Sequence, residues 1–453
     1  MKLYKKISVA VLLSVVIISG GCKKLLEEHP ESGIVPSFFN SPAGVLGGIA
    51  GVYNDIRGAW GTEGFTLHTM AGTDEYLMGA SATGTQFFTY NGLQAGLMNN
   101  FWWNTAYQDI NTLNGVLQYV QTIDVPAATR SQSLAQAKFL RAFWYFYLVQ
   151  SFGDVPLHTT FITVPSSADS RQPVADVYTQ IIKDLNDAAV DLPAQVTAPF
   201  LGKAATKATA LYLLSKVYLT RGWLNGAAAD FTQAYNIASD LITNKATYGL
   251  DMWQDYGDAF KPANDYGKET LFVSDHSIDA KYGQYSVGGG AAGGAAQNLT
   301  PWFGKWNYPS NSGINSAKNG SGVLVNAGTS GMTRDVANGR PFIRIRPNHV
   351  VLTSGPNTGK NYFLDQAFAD RINDSRYDKT FQTVWIANTA GVTNTPTTAG
   401  NTRGIGYTLT VGTDTAVWLP DHEIAGAPQF NGAVPFKGII IPPSLWSNSY
   451  FPA

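Results

Sequence analysis

Phe139-Leu140-Arg141-Ala142-Phe143-Trp144-Tyr145-Phe146, running on to Phe152-Gly153-Asp154-Val155-Pro156-Leu157, decides how the rest of this 453-residue chain is read. From about Ser131 to Phe152 the sequence is apolar nearly all round, the pattern of a helix buried on every side. Gly153-Asp154 ends it, and Pro156 blocks its continuation. Its most apolar run, Ala142 to Val149, is far too short to span a bilayer and is bounded by Arg141 and Gln150. Such a helix needs partners, and the flanking sequence supplies them.

Upstream, Ser41-Pro42 reads as an N-cap with proline in the first turn. Val45, Ile49, Val52, Tyr53 and Ile56 then recur at helical spacing to Arg57. A second helix is expected from about Asn99 to Ile123, with Ile110, Leu113, Val116, Leu117 and Val120 on one face. Downstream, helices are expected over about Pro173 to Leu192, Ala204 to Arg221 and Gly226 to Thr243. The last two carry a tetratricopeptide pattern: Leu211, Leu214, Ser215 and Tyr218, then Ala227, Phe231 and Ala234. The Phe139–Tyr147 helix and the Val177–Leu192 helix look like a second pair, split by a long insertion. After Lys245 helical periodicity fades, and Gly, Asn, Thr and Pro punctuate short apolar stretches. The run with Gly288-Gly289-Gly290 and Gly293-Gly294 has no phosphate-loop Lys-Ser/Thr pair and no GxGxxG opening a helix, so it reads as a loop.

Charged residues are 14% of the chain, below the ~25% of ordinary soluble domains. Net charge is −1, which argues against a nucleic-acid partner. A surface rich in Gly, Asn, Thr and Ser with 12% aromatics suits a neutral ligand such as a glycan. Lys2, Lys5 and Lys6, the apolar Ile7–Ile18 and the small Ser19-Gly20-Gly21 form an export signal before Cys22, the only cysteine. The order resembles a bacterial lipoprotein signal over residues 1–21, with Cys22 as the lipidation site and 22–40 as a tether. Cys22 once used, no disulfide or cysteine metal site is possible.

Sugar recognition needs flat apolar faces for the C–H side of a pyranose, with amides or carboxylates for its hydroxyls. Two clusters fit. The first is Trp60, Phe65 and His68, with Asp74 and Glu75 nearby. The second is Trp302, Phe303, Trp306 and Tyr308, with Tyr282 and Tyr285 before it. The competing reading is that these rings pack loops onto the scaffold. Trp102, Trp103, Trp144 and Trp223 lie on or beside helices and are assigned to the core. Adjacent acids such as Asp74-Glu75 cannot flank a glycosidic bond at roughly 5–10 Å, as hydrolysis requires. The six histidines lack metal-ligand spacing, and no Gly-x-Ser-x-Gly elbow appears. No enzyme activity, cofactor or metal is expected. Asp374, Arg376 and Asp378 read as an ion-paired turn. Asp414-Thr415-Ala416 resembles a short O-glycosylation motif.

The Leu140–Leu157 block resembles the signature helix and turn of the SusD/RagB outer-membrane lipoproteins of Bacteroidetes. Other blocks agree in order: Cys22 with Leu25-Leu26-Glu27-Glu28 and Pro30, Gly51-Val52-Tyr53, Thr73-Asp74-Glu75, Val177-Tyr178 through Leu192-Pro193, and Asp374 to Asp378. The resemblance implies a mainly α fold. A SusD-like tetratricopeptide-repeat helical scaffold (about 41–245) would carry a loop-rich α+β second half (about 246–453), the two forming a single domain over 41–453. It also implies a surface-exposed lipoprotein of the outer membrane that captures glycans and passes them to a SusC-like TonB-dependent transporter. Its ligand sites commonly draw on the two aromatic regions, which makes Trp60, Asp74, Tyr282, Tyr285, Trp302, Trp306 and Tyr308 the glycan-binding candidates. A peptide-binding RagB-like member and a tetratricopeptide-type adaptor without a small ligand are the alternatives. The family's final helical pair, with its Arg-x-Ala-Glu-type motif, has no counterpart before Ala453, so a short or truncated C-terminus is expected.

Overall fold

A computed structural model describes residues 36–98, 102–164, 166–197 and 202–276, then shorter stretches between 304 and 440. Its helices are α1 (Pro42–Ala59), α2 (Glu63–Met70), α3 (Thr85–Thr89), α4 (Trp103–Tyr119), α5 (Ala127–Phe152), α6 (Val174–Asp191), α7 (Lys207–Asn225), α8 (Ala228–Thr243) and α9 (Arg376–Thr380). The helix starts follow local chemistry. Ser41 Oγ accepts the Gly44 N–H at 3.1 Å. Thr206 and Thr209 cap each other reciprocally at the start of α7. Two differences from the sequence reading have clear causes. α5 begins at Ala127, directly after Pro126, and its Arg130 reaches back to the Val120 and Ile123 carbonyls at the end of α4. The Trp60–His68 region is not a loop: Thr62 accepts the Phe65 N–H and, with Glu63 in the first turn, starts α2.

Helices α4 to α8 pack in chain order, each against its predecessor. Contacts between α5 and α6 run 138 to 187, 141 to 184 and 146 to 178, so the pair is antiparallel. In α7 and α8, Arg221 pairs with Asp230 and Ser215 bonds the Ala234 carbonyl, again antiparallel. This is the helical-repeat scaffold expected from the two helix pairs. One continuous apolar core joins α1 and α4–α7, with Phe139, Leu140, Trp144, Tyr145, Leu148, Ile181 and Leu185 each at most 1% exposed. Phe39 also enters it, against Gly115, where a Cβ would lie 2.4 Å from the ring.

The signature block has a physical role. Arg141 and Asp184, both buried, form two parallel hydrogen bonds of 2.8 Å. Arg141 Nη1 also donates to Asn114 Oδ1 at 2.7 Å. Asn114 in turn donates to the His158 and Thr160 carbonyls at 3.1 Å. Tyr145 Oη accepts the His158 N–H at 2.7 Å and donates to its carbonyl at 3.0 Å. Gly153, at φ +70°, supplies the turn that no side-chain-bearing residue adopts readily. One ion pair thus holds α4, α5, α6 and the post-helix turn together.

Beyond α8 the described elements are short. β1 (Tyr76–Met78) pairs antiparallel with β3 (Ile345–Pro347). β2 (Lys318–Asn319), β8 (Ile439–Ile440), β7 (Thr415–Trp418) and β4 (Val384–Ile386) form one sheet in that order, with β7 and β8 parallel. β5 (Thr393–Asn394) pairs with β6 (Tyr407–Thr408). The β1–β3 ladder and the Arg344–Glu63 ion pair at 2.8 Å attach this part to α2 and its neighbours. Trp385, Val417 and Leu419 form its buried centre. Thr415, in the glycosylation-like triplet, is only 8% exposed and so is closed to modification here. Trp223 is 79% exposed, which corrects its assignment to the core: it sits near the end of α7, past the face that meets α6.

Candidate functional site

Trp60 occupies the joint between α1 and α2. Its N–H closes α1 on the Ile56 carbonyl, and Gly61, at φ +83°, then reverses the chain into the Thr62 cap. The turn lays the half-buried indole over α5. Its ring centroid is 4.8 Å from Tyr147, 4.9 Å from Phe65, 5.1 Å from Phe143 and 5.8 Å from Trp144. Such tilted and edge-on pairs hold a ring in one orientation.

Trp60 is one wall of a cleft of about 250 Å³. The floor is Phe139, Phe143 and Tyr147, spaced four apart on one face of α5. Thr209, Tyr212 and Lys216 of α7 stand opposite. The third side is the segment 271–274. Thr209 Oγ1 holds it by donating to the Leu271 carbonyl at 2.9 Å, and Phe272 packs 5.6 Å from Phe139. Burial pushes the Tyr147 hydroxyl up to about 12, so it stays a neutral donor across physiological pH. Lys216 is the sole charged residue among the described residues lining the cleft, and no carboxylate joins it. An aromatic wall with hydroxyls and one ammonium can stack a sugar ring and bond its hydroxyls.

The remaining sequence candidates fall elsewhere. Asp74 is exposed in the turn before β1, with its carbonyl bonded by Asn348 Nδ2 at 2.7 Å, and does not line the cleft. Tyr308 is 1% exposed and donates to the Gly339 carbonyl at 2.6 Å, so its ring packs this segment and has no face toward solvent. Tyr282, Tyr285, Trp302, Trp306 and Cys22 lie outside the described residues. Phe143, Tyr147, Tyr212 and Phe272 were not singled out. The first two look like core because the α5 pattern is apolar on all sides. The i, i+4 spacing of Tyr212 and Lys216 on a repeat helix was the available signal.

Residues 24–219 match a SusD-like family model described as "Starch-binding associating with outer membrane". Over that stretch the chain is similar to SusD-like proteins. A SusD-like protein of Formosa agariphila is 33% identical over 285 residues, 61% of this chain and 53% of that protein. A SusD-like protein of Bacteroides ovatus is 27% identical over 305 residues, 60% of this chain and 50% of its own length. The chain therefore spans about half the length of these curated SusD-like relatives. Among solved structures, a "Laminarin binding SusD-like protein" superposes with a TM-score of 0.51 at 22% identity, covering 64% of this chain and 61% of that one. That likeness concerns the fold, and it agrees with the helical-repeat scaffold described above.

Proposed function

We propose that this SusD-like protein binds glycans without transforming them, as a Cys22-anchored lipoprotein on the outer membrane that hands its ligand to a SusC-like TonB-dependent transporter. The observation that carries the reading is the Trp60 cleft, walled by rings and lined by hydroxyls, with no carboxylate among the described residues that line it. The family description, starch-binding and associated with the outer membrane, points the same way. So does the ligand named for the laminarin-binding neighbour. Affinities of about −4 to −8 kcal/mol would suffice, since a tether over the transporter raises local concentration.

The test is calorimetric titration of soluble chain starting at residue 23 with maltohexaose, laminarihexaose and a random peptide pool. Saccharide binding that weakens in Tyr212→Ala supports the reading. Peptide binding alone, or saccharide binding indifferent to both Trp60→Ala and Tyr212→Ala, overturns it. Replacing Cys22 should release the protein from membranes into the periplasm; continued membrane association would sink the anchor.

A further inference from the structure

On α4 and the turn after α5 lies a larger, open cleft of about 560 Å³ that shares no lining residue with the Trp60 cleft. Its volume is in the ordinary range for a small-ligand site. Trp103 and Tyr107, one helical turn apart on α4, form its aromatic wall, with ring centroids 4.9 Å apart and tilted by 53°. Both rings are held in place. Phe152 braces Trp103 edge-on at 4.9 Å. Tyr107 donates to the Pro156 carbonyl at 2.8 Å, and the His158 ring meets it edge-on at 5.9 Å. Rings already ordered give contact area without a further entropic cost on binding. The polar side comprises Gln108, Asn111, His158 and the Asp169 carboxylate, whose side chain is 47% exposed. His158 Nε2 lies 3.3 Å from Asp169 Oδ2.

The backbone of the rim is fixed by side chains of α4 and α5. Between Pro156 and Ile162 side chains hold the backbone groups of alternate residues. Tyr107 takes the Pro156 carbonyl, Tyr145 both groups of His158, and Asn114 the His158 and Thr160 carbonyls. Asn111 takes both groups of Ile162, donating to its carbonyl at 3.0 Å and accepting its N–H at 2.7 Å. The lining combines two fixed rings with the polar side chains of Gln108, Asn111, His158 and Asp169, a set that matches the apolar face and hydroxyl rim of a pyranose.

We infer that the Trp103–Tyr107 cleft is a second saccharide-binding site, separate from the Trp60 cleft. The inference rests on the glycan-binding reading for its ligand class, and the test keeps the two apart. Soluble chain carrying 5-fluorotryptophan is titrated with maltohexaose and laminarihexaose, and the fluorine resonances of Trp60 and Trp103 are assigned by single Trp→Phe variants. The expected result is a saturable shift at Trp103 that persists in Trp60→Ala. Asp169→Asn, which removes charge from an exposed side chain, should weaken that saturation about tenfold while leaving the Trp60 curve in place. A shift at Trp60 alone overturns the second site and leaves the proposed function standing. A shift at Trp103 alone upholds the second site and removes the Trp60 cleft. A Trp103 shift produced by the peptide pool and by neither saccharide overturns this inference, as does no shift at either ring.

Discussion

Two arginine–aspartate pairs, one in each half of the molecule, use the same fork geometry in opposite surroundings. Arg141–Asp184 is buried among α4, α5 and α6, where Arg141 also donates to Asn114 and Asp184 also accepts from Gln180. Arg376–Asp374 is equally short, yet it sits in an exposed turn between residues two apart in sequence. The first ties four segments of the scaffold to one another. The second orders its own turn, where the Arg376 side chain holds the Asp374 carboxyl at about 2, below the usual carboxylate range. The helical half is thus built from long-range contacts around one core, and the described part of the second half from short ladders and local turns.

The largest effect expected from this contrast is Arg141→Ala. It leaves Asp184 buried without its counter-ion, at a cost of about 3–5 kcal/mol. It also frees the 156–162 turn, so chemical denaturation should show a large loss of stability, with faster proteolysis in that turn. Arg141→Met with Asp184→Leu should recover much of the loss. A small effect of Arg141→Ala would show that the node is not what joins the scaffold.

Next in size is Asp109, 3% exposed on α4. Burial, and then the neighbouring Asp55 carboxylate, raise it to about 9 from an ordinary 3.8. The folded state therefore holds a proton that the unfolded chain releases. Its contribution to stability is complete below the ordinary carboxylate range and is lost as pH rises toward about 9. Asp109→Asn should match the native chain at pH near 4, exceed its melting temperature increasingly up to pH 8, and flatten the pH profile of denaturation. An unchanged slope would mean that Asp109 is ionised in the fold.

Smaller still, Tyr212→Ala, at a residue 46% exposed, should weaken saccharide binding by about 1 kcal/mol or more with little change in the melt. Arg376→Ala should leave both the melt and saccharide binding where they were. A drop in melting temperature rivalling that of Arg141→Ala would erase the comparison.

Legibility in the sequence follows the same divide. The α1 cap at Ser41, the buried α5 and the antiparallel pairing of α5 with α6 and of α7 with α8 were readable. Each is written in a period or a cap within one segment. The role of Arg141 was not, because its partners Asn114 and Asp184 lie 27 and 43 residues away. Trp60 was selected for its aromatic character, yet its cleft is completed by Phe272 and Tyr212, which only the tertiary fold brings to it. Tyr308, a candidate on the same grounds, is inside, since a ring between Asn307 and Pro309 gives no sign of which side it faces. Asp74 is close to Trp60 in sequence, but α2 intervenes and the acid lies outside the cleft.

The most direct test is the crystal structure of the chain from residue 23 grown with maltohexaose or laminarihexaose. A sugar ring should lie face-on to Trp60, its hydroxyls within hydrogen-bond reach of Tyr212 or Lys216. A saccharide bound away from the Trp60 cleft, or a Trp60 face covered by the protein's own chain when the ligand is bound, would contradict it.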